Sequence, residues 1–256
     1  MQHKLHNFTE KLFNAYDSKK PISKEDIPAD IEKSTAYEIQ HQITDRKVAT
    51  NQDNLIGYKI SLTSPETQQL FNATTPLYGA LTDTSLSNGT IELDKMLSPL
   101  IEIELMFIAN ENLSITDDQE TILQKMRIAP GLEIPDSRFT DWFPKVSLGQ
   151  VIADSAVAGK IVVGESVKGI TFEQLNSVNA ILKLDGEEIA QGPSSEVLGN
   201  PVHAIKWLME ELAKSGRKIE KGMIISSGTF ILPKVLEKGK YQVEYEGIGN
   251  VSLHVI

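Results

Sequence analysis

Two glutamates stand inside an otherwise apolar run, Pro99-Leu100-Ile101-Glu102-Ile103-Glu104-Leu105-Met106-Phe107-Ile108. The run reads as a β-strand, in which side chains at i and i+2 leave by the same face. Glu102 and Glu104 therefore emerge side by side. Two carboxylates ~4 Å apart repel by about 4 kcal/mol at an effective dielectric near 20. Such a pair persists if a cation sits between its members, if one is protonated, or if the face is wet. A solvated acidic edge strand is the competing reading. A third acid weighs against it, because Pro130-Gly131-Leu132-Glu133-Ile134-Pro135-Asp136-Ser137-Arg138 again sets a glutamate in an apolar, turn-bounded strand. Three carboxylates without a thiol or histidine cluster make a hard-oxygen site, suited to Mg²⁺ or Mn²⁺ rather than zinc. Asp136 and Arg138 are close enough in sequence to pair with each other, a structural role at least as expected for them as a catalytic one.

Lys59 is the other candidate, in Gly57-Tyr58-Lys59-Ile60-Ser61-Leu62-Thr63-Ser64. A lone lysine on an apolar strand snorkels to the surface by default and contributes little to a core. Beside a carboxylate–metal site it can instead bind a substrate carboxylate or serve in proton transfer. His203, near a helix start, is read as satisfying a local hydrogen bond. Gly247-Ile248-Gly249-Asn250 lacks the strand–turn–helix setting of a nucleotide loop. Neither a phosphate-binding P-loop nor a Gly-x-Ser-x-Gly nucleophile elbow occurs.

The surrounding composition narrows the chemistry further. The 256 residues include 35 Asp and Glu against 25 Lys and Arg, a formal net charge of −10. That balance argues against sequence-independent nucleic-acid binding, which needs a basic surface. An acidic chain that handles a small anion must neutralise it locally, by a metal or a placed lysine. The absence of cysteine excludes disulfides, zinc–thiolate sites, iron–sulfur clusters and thiol nucleophiles. It also fits a reducing compartment. No apolar run approaches the ~20 residues of a membrane span, and Met1-Gln2-His3-Lys4-Leu5-His6-Asn7 lacks the apolar core of a secretion signal. A cytoplasmic protein without membrane or nucleic-acid partners is expected.

Side chains of this kind need rigid strands to aim them. Residues 1–52 read as a helical arm: Phe8, Leu12, Phe13 and Ala15 recur at helical spacing over residues 8–19, and Tyr37, Ile39, Ile43 and Val48 mark a second helix from residue 34. Pro21 separates them, and Ser23-Lys24-Glu25-Asp26 looks like a capping turn. Residues 53–256 change to short β-rich runs, at 56–62, 100–108, 160–163, 180–184, 223–226, 241–245 and 251–256. Asp185-Gly186 suits a type I′ hairpin turn, and Glu246-Gly247-Ile248-Gly249-Asn250 joins the last two strands. One helix interrupts the strands: Asn200 caps it, Pro201 opens it, Val202, Ile205, Leu208, Met209 and Leu212 form its apolar face, and Gly216 ends it. With no alternating βαβ series, the expected class is α+β, a mixed and mainly β domain with one or two covering helices.

Four segments in order carry a resemblance: Ile56-Gly57-Tyr58-Lys59-Ile60-Ser61-Leu62-Thr63-Ser64, Ile101-Glu102-Ile103-Glu104, Leu132-Glu133-Ile134-Pro135-Asp136-Ser137-Arg138 and Val197-Leu198-Gly199-Asn200-Pro201. Together with Ala36-Tyr37, Ile39-Gln40 and Ser226-Ser227-Gly228-Thr229, they resemble the 2-keto-4-pentenoate hydratase / 4-oxalocrotonate decarboxylase family, within the fumarylacetoacetate hydrolase superfamily. The resemblance implies a mixed β-roll behind a helical arm, assembled into homo-oligomers. It implies Mg²⁺ or Mn²⁺ on Glu102, Glu104 and Glu133, and a small 2-oxo acid substrate contacted by Lys59. The candidate catalytic residues are Lys59, Asp83 and Asp154. Four positions depart from what the family's hydratases tend to carry. Leu77 stands where an acid is usual, Ser61 where glycine is usual, and Val157 and Ala158 where hydroxyls are usual. The implied reaction is hydration of 2-hydroxypenta-2,4-dienoate-type acids, with decarboxylation of 4-oxalocrotonate as the alternative on the same electrophilic site. A non-catalytic binding protein of the same fold is the rival from another class.

Overall fold

The computed structural model describes residues 2–50 and 53–256. Two long helices open the chain, α1 (Gln2–Ser18) and α2 (Lys33–Thr50). Between them Ser23 begins a short 3-10 turn, where its backbone N–H donates to Asp26 Oδ2 at 3.1 Å, as the capping signal predicts. The helices are not a free appendage: Leu12, Phe13, Ile39 and Ile43 belong to the same apolar core as the strands. Gln40, wholly buried on α2, donates from Nε2 to Tyr78 O at 3.0 Å and Ile152 O at 2.9 Å. Its Nε2 donors are thereby satisfied in the interior, while Oε1 has no partner among the described residues.

The rest of the chain runs β1 (Leu55–Ser61), α3 (Pro65–Leu70), β2 (Leu77–Thr82), β3 (Thr90–Ile91), β4 (Leu100–Ala109), α4 (Gln119–Gln124), β5 (Met126–Ile134), α5 (Leu148–Ala153), β6 (Lys160–Val163), α6 (Phe172–Leu175), β7 (Asn179–Leu184), β8 (Glu187–Pro193), α7 (Pro201–Ala213), β9 (Ile224–Thr229), β10 (Lys234–Val235), β11 (Gly239–Tyr245) and β12 (Gly249–Val255). A seven-stranded sheet is ordered β2-β1-β9-β4-β5-β6, with β10 added alongside β4. Its β1–β9 pair is parallel and its other pairs are antiparallel. A five-stranded sheet, β3-β12-β11-β7-β8, completes the mixed, mainly β architecture. Tyr245 of β11 ties the two sheets together: its hydroxyl lies 2.9 Å from Glu104 O on β4 and 2.5 Å from Gly131 O on β5.

The local signals perform as their chemistry requires. Asp185 and Gly186 both take positive φ, 50° and 91°, at the β7–β8 turn. Asn200 Oδ1 accepts from Val202 N at 3.0 Å to cap α7, and Gly216 (φ 69°) lies just beyond its end. More helix is present than the one or two covering helices expected, because α3 to α6 are only four to six residues long. Segments that short show no helical periodicity. β2 also falls where no strand is expected; all its residues are buried, so it lacks the alternation of a half-exposed strand. Among the described residues, no helix is long and apolar enough to cross a membrane.

Candidate metal centre

Register brings the three glutamates together. In the β4–β5 pair, Glu102 lies directly opposite Glu133, and Glu104 lies opposite Gly131. Directly opposed residues share a sheet face, and Glu104 shares that of Glu102. One carboxylate oxygen from each lies within 4.8 Å of the others, and the exposures are 8%, 1% and 0% for Glu102, Glu104 and Glu133. This is not a solvated acidic edge. β9 separates β4 from β1 and brings Lys59 alongside, through the pairings Met106↔Ser226 and Ser226↔Lys59. Lys59 Nζ sits 2.9 Å from Glu133 Oε1 and donates to Ala156 O at 3.1 Å and to Ser61 Oγ. It is 1% exposed. The expectation of a snorkelling, structurally minor lysine does not hold, because the nearby carboxylates stabilise its charge inside.

The electrostatics are those of an under-neutralised cluster. Burial, followed by the charge of Glu133, pushes the Glu102 carboxyl up to about 8. Burial and then both neighbouring carboxylates push Glu104 well above the usual range. Ser226 Oγ (2.5 Å) and Gly228 N (2.9 Å) donate to Glu104 Oε2, and the serine bond partly opposes that shift. Burial disfavours the Lys59 ammonium, but Glu133, Glu102 and Glu104 together outweigh it and raise the amine above its ordinary value. Neither carboxylate oxygen of Glu133 accepts a hydrogen bond of good geometry. Three buried acids facing one ammonium leave a deficit of two positive charges when all are ionised. An oxygen-only donor set with that deficit, and with Glu133 Oε2 left without a partner, fits a divalent cation of the Mg²⁺ or Mn²⁺ type.

A small, partly open pocket of about 40 Å³ lies above the carboxylates. Its polar lining is Lys59, Ser61, Thr67, Glu102, Glu104 and Thr229, while Leu62, Leu70, Phe71, Trp142, Phe143 and Val157 supply apolar walls. Trp142 is fixed by donating from Nε1 to Ser98 O at 3.0 Å. Val157 comes from an unusual stretch in which Ser155, Ala156 and Val157 all have positive φ (54°, 50° and 53°). A left-handed turn of non-glycine residues costs roughly 1–2 kcal/mol per residue, and for β-branched Val157 it is an outlier.

Apart from Ser61 and Val157, which line the pocket, the other residues singled out in the sequence fall elsewhere. Asp83 is exposed and accepts from Asn54 N (3.2 Å) and Nδ2 (2.6 Å), away from the pocket lining. Asp154 is buried and also absent from that lining. Its carboxylate accepts from Ser137 Oγ and Arg138 N, both at 2.9 Å, and from Arg138 Nε. Arg138 thus pairs with Asp154 and not with Asp136, which instead accepts from Leu97 N (3.1 Å) and Ser98 N (2.7 Å). His203 meets Leu198 O at 3.0 Å, the local bond expected of it. Leu77 is buried opposite Ser61 and does not line the pocket, whereas Val157 does. Sequence reasoning gave no role to Ser226, Gly228 or the Ala156 carbonyl. Nor did it use Trp142-Phe143, although two adjacent aromatics in a polar loop are a signal for a pocket wall.

No protein-family model matches the chain, but individual proteins do. It is 30% identical over 247 residues to the 2-keto-4-pentenoate hydratase of Paraburkholderia xenovorans strain LB400, spanning 94% of this chain and 90% of that one. It is 27% identical over 226 residues to the 4-oxalocrotonate decarboxylase of Pseudomonas sp. strain CF600, spanning 86% and 84%. The solved 4-oxalocrotonate decarboxylase from Pseudomonas putida G7, complexed with magnesium and adipate, superposes with a TM-score of 0.90 at 26% identity, over 100% of this chain and 98% of that one. Fumarylpyruvate hydrolase from Pseudomonas aeruginosa, in complex with Mn²⁺ and pyruvate, shares the fold at a TM-score of 0.61 and 13% identity, over 78% and 88%. The α+β fold is that of the fumarylacetoacetate hydrolase superfamily. The chain belongs to the 2-keto-4-pentenoate hydratase / 4-oxalocrotonate decarboxylase family.

Proposed function

We propose that this protein is a metal-dependent hydratase that adds water to a 2-hydroxypenta-2,4-dienoate-type acid to give a 4-hydroxy-2-oxo acid. Glu102, Glu104 and Glu133 are the residues to hold Mg²⁺ or Mn²⁺. When bound, such an ion supplies Lewis acidity toward the substrate's carboxylate and 2-oxygen. The remaining work falls to the chain. Lys59, kept charged by its carboxylate neighbours, offers a cation to the substrate carboxylate and a proton at Nζ. Ser61, Thr67 and Thr229 present hydroxyls that can orient a water, and the apolar walls exclude bulk solvent from the unsaturated carbons.

The observation that carries the hydratase reading is the pocket's charge pattern. Among the described residues, Lys59 is the one cationic side chain in its lining, and the wall away from the polar groups is apolar. That suits an acid with one charged end and one uncharged end. A buried second carboxylate without a partner is costly. A decarboxylase reading is supported by the same wall in a different way, since an unsolvated carboxylate departs more readily, and by the 0.90 TM-score likeness to the Pseudomonas putida G7 enzyme. Turnover of 2-hydroxypenta-2,4-dienoate and of 4-oxalocrotonate, followed by ultraviolet absorbance with and without Mg²⁺ or Mn²⁺, decides between them. Metal-dependent loss of the dienoate is expected; turnover of 4-oxalocrotonate alone would replace the reading with decarboxylation, and turnover of neither would remove both.

A further inference from the structure

The left-handed stretch at residues 155–157 is bracketed by one side chain. Arg138 donates from Nη2 to Asp154 O at 2.5 Å and from Nη1 to Ala158 O at 2.8 Å, so its guanidinium grips the carbonyl before the turn and the carbonyl after it. The same guanidinium is anchored by Asp154, whose carboxylate also accepts from Arg138 N and Ser137 Oγ. Between the two gripped carbonyls, Ala156 points its own carbonyl at Lys59 Nζ, 3.1 Å away, and Val157 enters the pocket wall. Asp136 N donates to Val157 O at 2.9 Å, which adds a third restraint. Gly79 leaves the space: a Cβ there would lie 1.9 Å from Ser155 O.

Three consecutive non-glycine residues do not hold positive φ unless their surroundings impose it. Here the imposing group is identifiable. We propose that Arg138 is a positioning residue, which uses its planar fork to hold the 155–157 turn left-handed so that Ala156 O fixes the Lys59 ammonium beside the carboxylates. Two properties favour arginine in this role. Only a guanidinium presents several donors in one rigid plane, and a lysine at the same place would reach one carbonyl at a time. The turn is also buried throughout, so no water replaces a lost donor from outside. Asp154 then serves the site without touching substrate. It orients Arg138, which shapes the turn, which places Lys59.

The assignment of Lys59 to the reaction rests on the hydratase reading, but the mechanical claim does not, and a glycine-rescue cycle separates the two. The variants are Arg138→Lys, Ala156→Gly and the double variant, each measured for melting temperature, for the Lys59 Nζ to Ala156 O separation in a crystal structure, and for kcat and KM. Glycine adopts positive φ without strain, so it should supply locally what the arginine imposes from outside. Arg138→Lys is expected to lower the melting temperature, to lengthen the Lys59–Ala156 contact, and to reduce kcat by about 10²-fold, the scale of an ångström misplacement, while KM changes far less. Adding Ala156→Gly is expected to recover at least half of the melting loss and to restore the contact. If Arg138→Lys does not fold, Arg138→Gln, which keeps a planar donor, takes its place in the cycle. The proposal is overturned if glycine destabilises both backgrounds equally, or if the contact survives in Arg138→Lys unchanged. Should the wild-type protein turn over neither substrate, the melting temperatures and crystal structures still decide whether Arg138 imposes the turn.

Discussion

The two sheets obey different rules. In the five-stranded sheet, β11 and β12 alternate exposed and buried residues along their length, with Tyr241, Val243, Val251 and Leu253 inside and Gln242, Glu244, Ser252 and His254 outside. In the seven-stranded sheet, β4 is buried on both faces over nearly all of Leu100–Ala109, and it is there that Glu102 and Glu104 lie. Polar residues on the first sheet need no explanation, because water solvates them. On the second, each needs a partner or a ligand. The contrast shows why an acid on β4 carries functional information that an acid on β11 does not.

Substitutions at the site test this contrast most severely. Glu104→Gln and Glu133→Gln should each cut kcat/KM by about 10²–10³-fold, comparable with losing one preorganised stabilising group. In metal-free protein Glu133→Gln should also lower the melting temperature, because it leaves the buried Lys59 ammonium without its ion-pair partner. Glu244→Gln, on the exposed face of β11, should change neither quantity. If Glu104→Gln and Glu244→Gln behaved alike, the distinction between the sheets would have no functional content.

Lys59→Met comes next. We expect a loss of roughly 10²-fold in kcat/KM, within the range for groups that transfer protons or orient substrate. Because Lys59 is buried against Glu133, its removal should also destabilise metal-free protein by about 3–5 kcal/mol, the usual result of orphaning a buried charge. Saturating Mg²⁺ should reverse much of that thermal loss. Wild-type kinetics in a folded variant would return Lys59 to a purely structural role.

The pH dependence of stability sharpens the comparison further. Glu102 titrates at about 8 in the folded protein against 4.5 ordinarily, so between those values the folded state holds a proton that the unfolded chain has released. The contribution of Glu102 to the stability of metal-free protein is therefore fully present below about pH 4.5 and is lost as pH rises through 8. The swing is on the order of a few kcal/mol, and bound Mg²⁺ should flatten it. Melting temperatures of metal-free protein that rise steadily from pH 5 to 8 would contradict this sign.

The smallest effects lie in the alternating sheet. Val251→Ala on β12 should cost about 1–3 kcal/mol for a buried methyl pair, and Ser252→Ala beside it less than about 0.5 kcal/mol. Chemical denaturation of the pair measures the ratio, and equal costs would mean that β12 is not half-exposed.

Legibility in the sequence divides along the same line. The alternating strands, the Asp185-Gly186 turn and the Asn200-Pro201 helix start were readable because each signal is local. The i, i+2 glutamates of β4 were readable for the same reason. That Glu133 lies opposite Glu102 depends on the β4–β5 register, which a single chain of letters does not specify. The burial of Lys59 depends on β9 arriving from more than 160 residues away in the chain. Arg138 was assigned to Asp136 because proximity in sequence favoured it, whereas its partner Asp154 lies 16 residues on. The turn at Ser155-Ala156-Val157 carries no glycine or asparagine, so its left-handed backbone left no mark for sequence reasoning to find.

The central claim is that Glu102, Glu104 and Glu133 form one divalent-cation site, and calorimetric titration of Mn²⁺ into metal-free protein tests it most directly. A single site per chain is expected. Because burial and Glu133 push the Glu102 carboxyl up to about 8, binding at pH 7 should release protons, seen as a heat that varies with the ionisation enthalpy of the buffer. Glu104→Gln and Glu133→Gln should each abolish or greatly weaken binding. Undiminished Mn²⁺ affinity in either folded variant, or no binding by the wild-type protein, would contradict it.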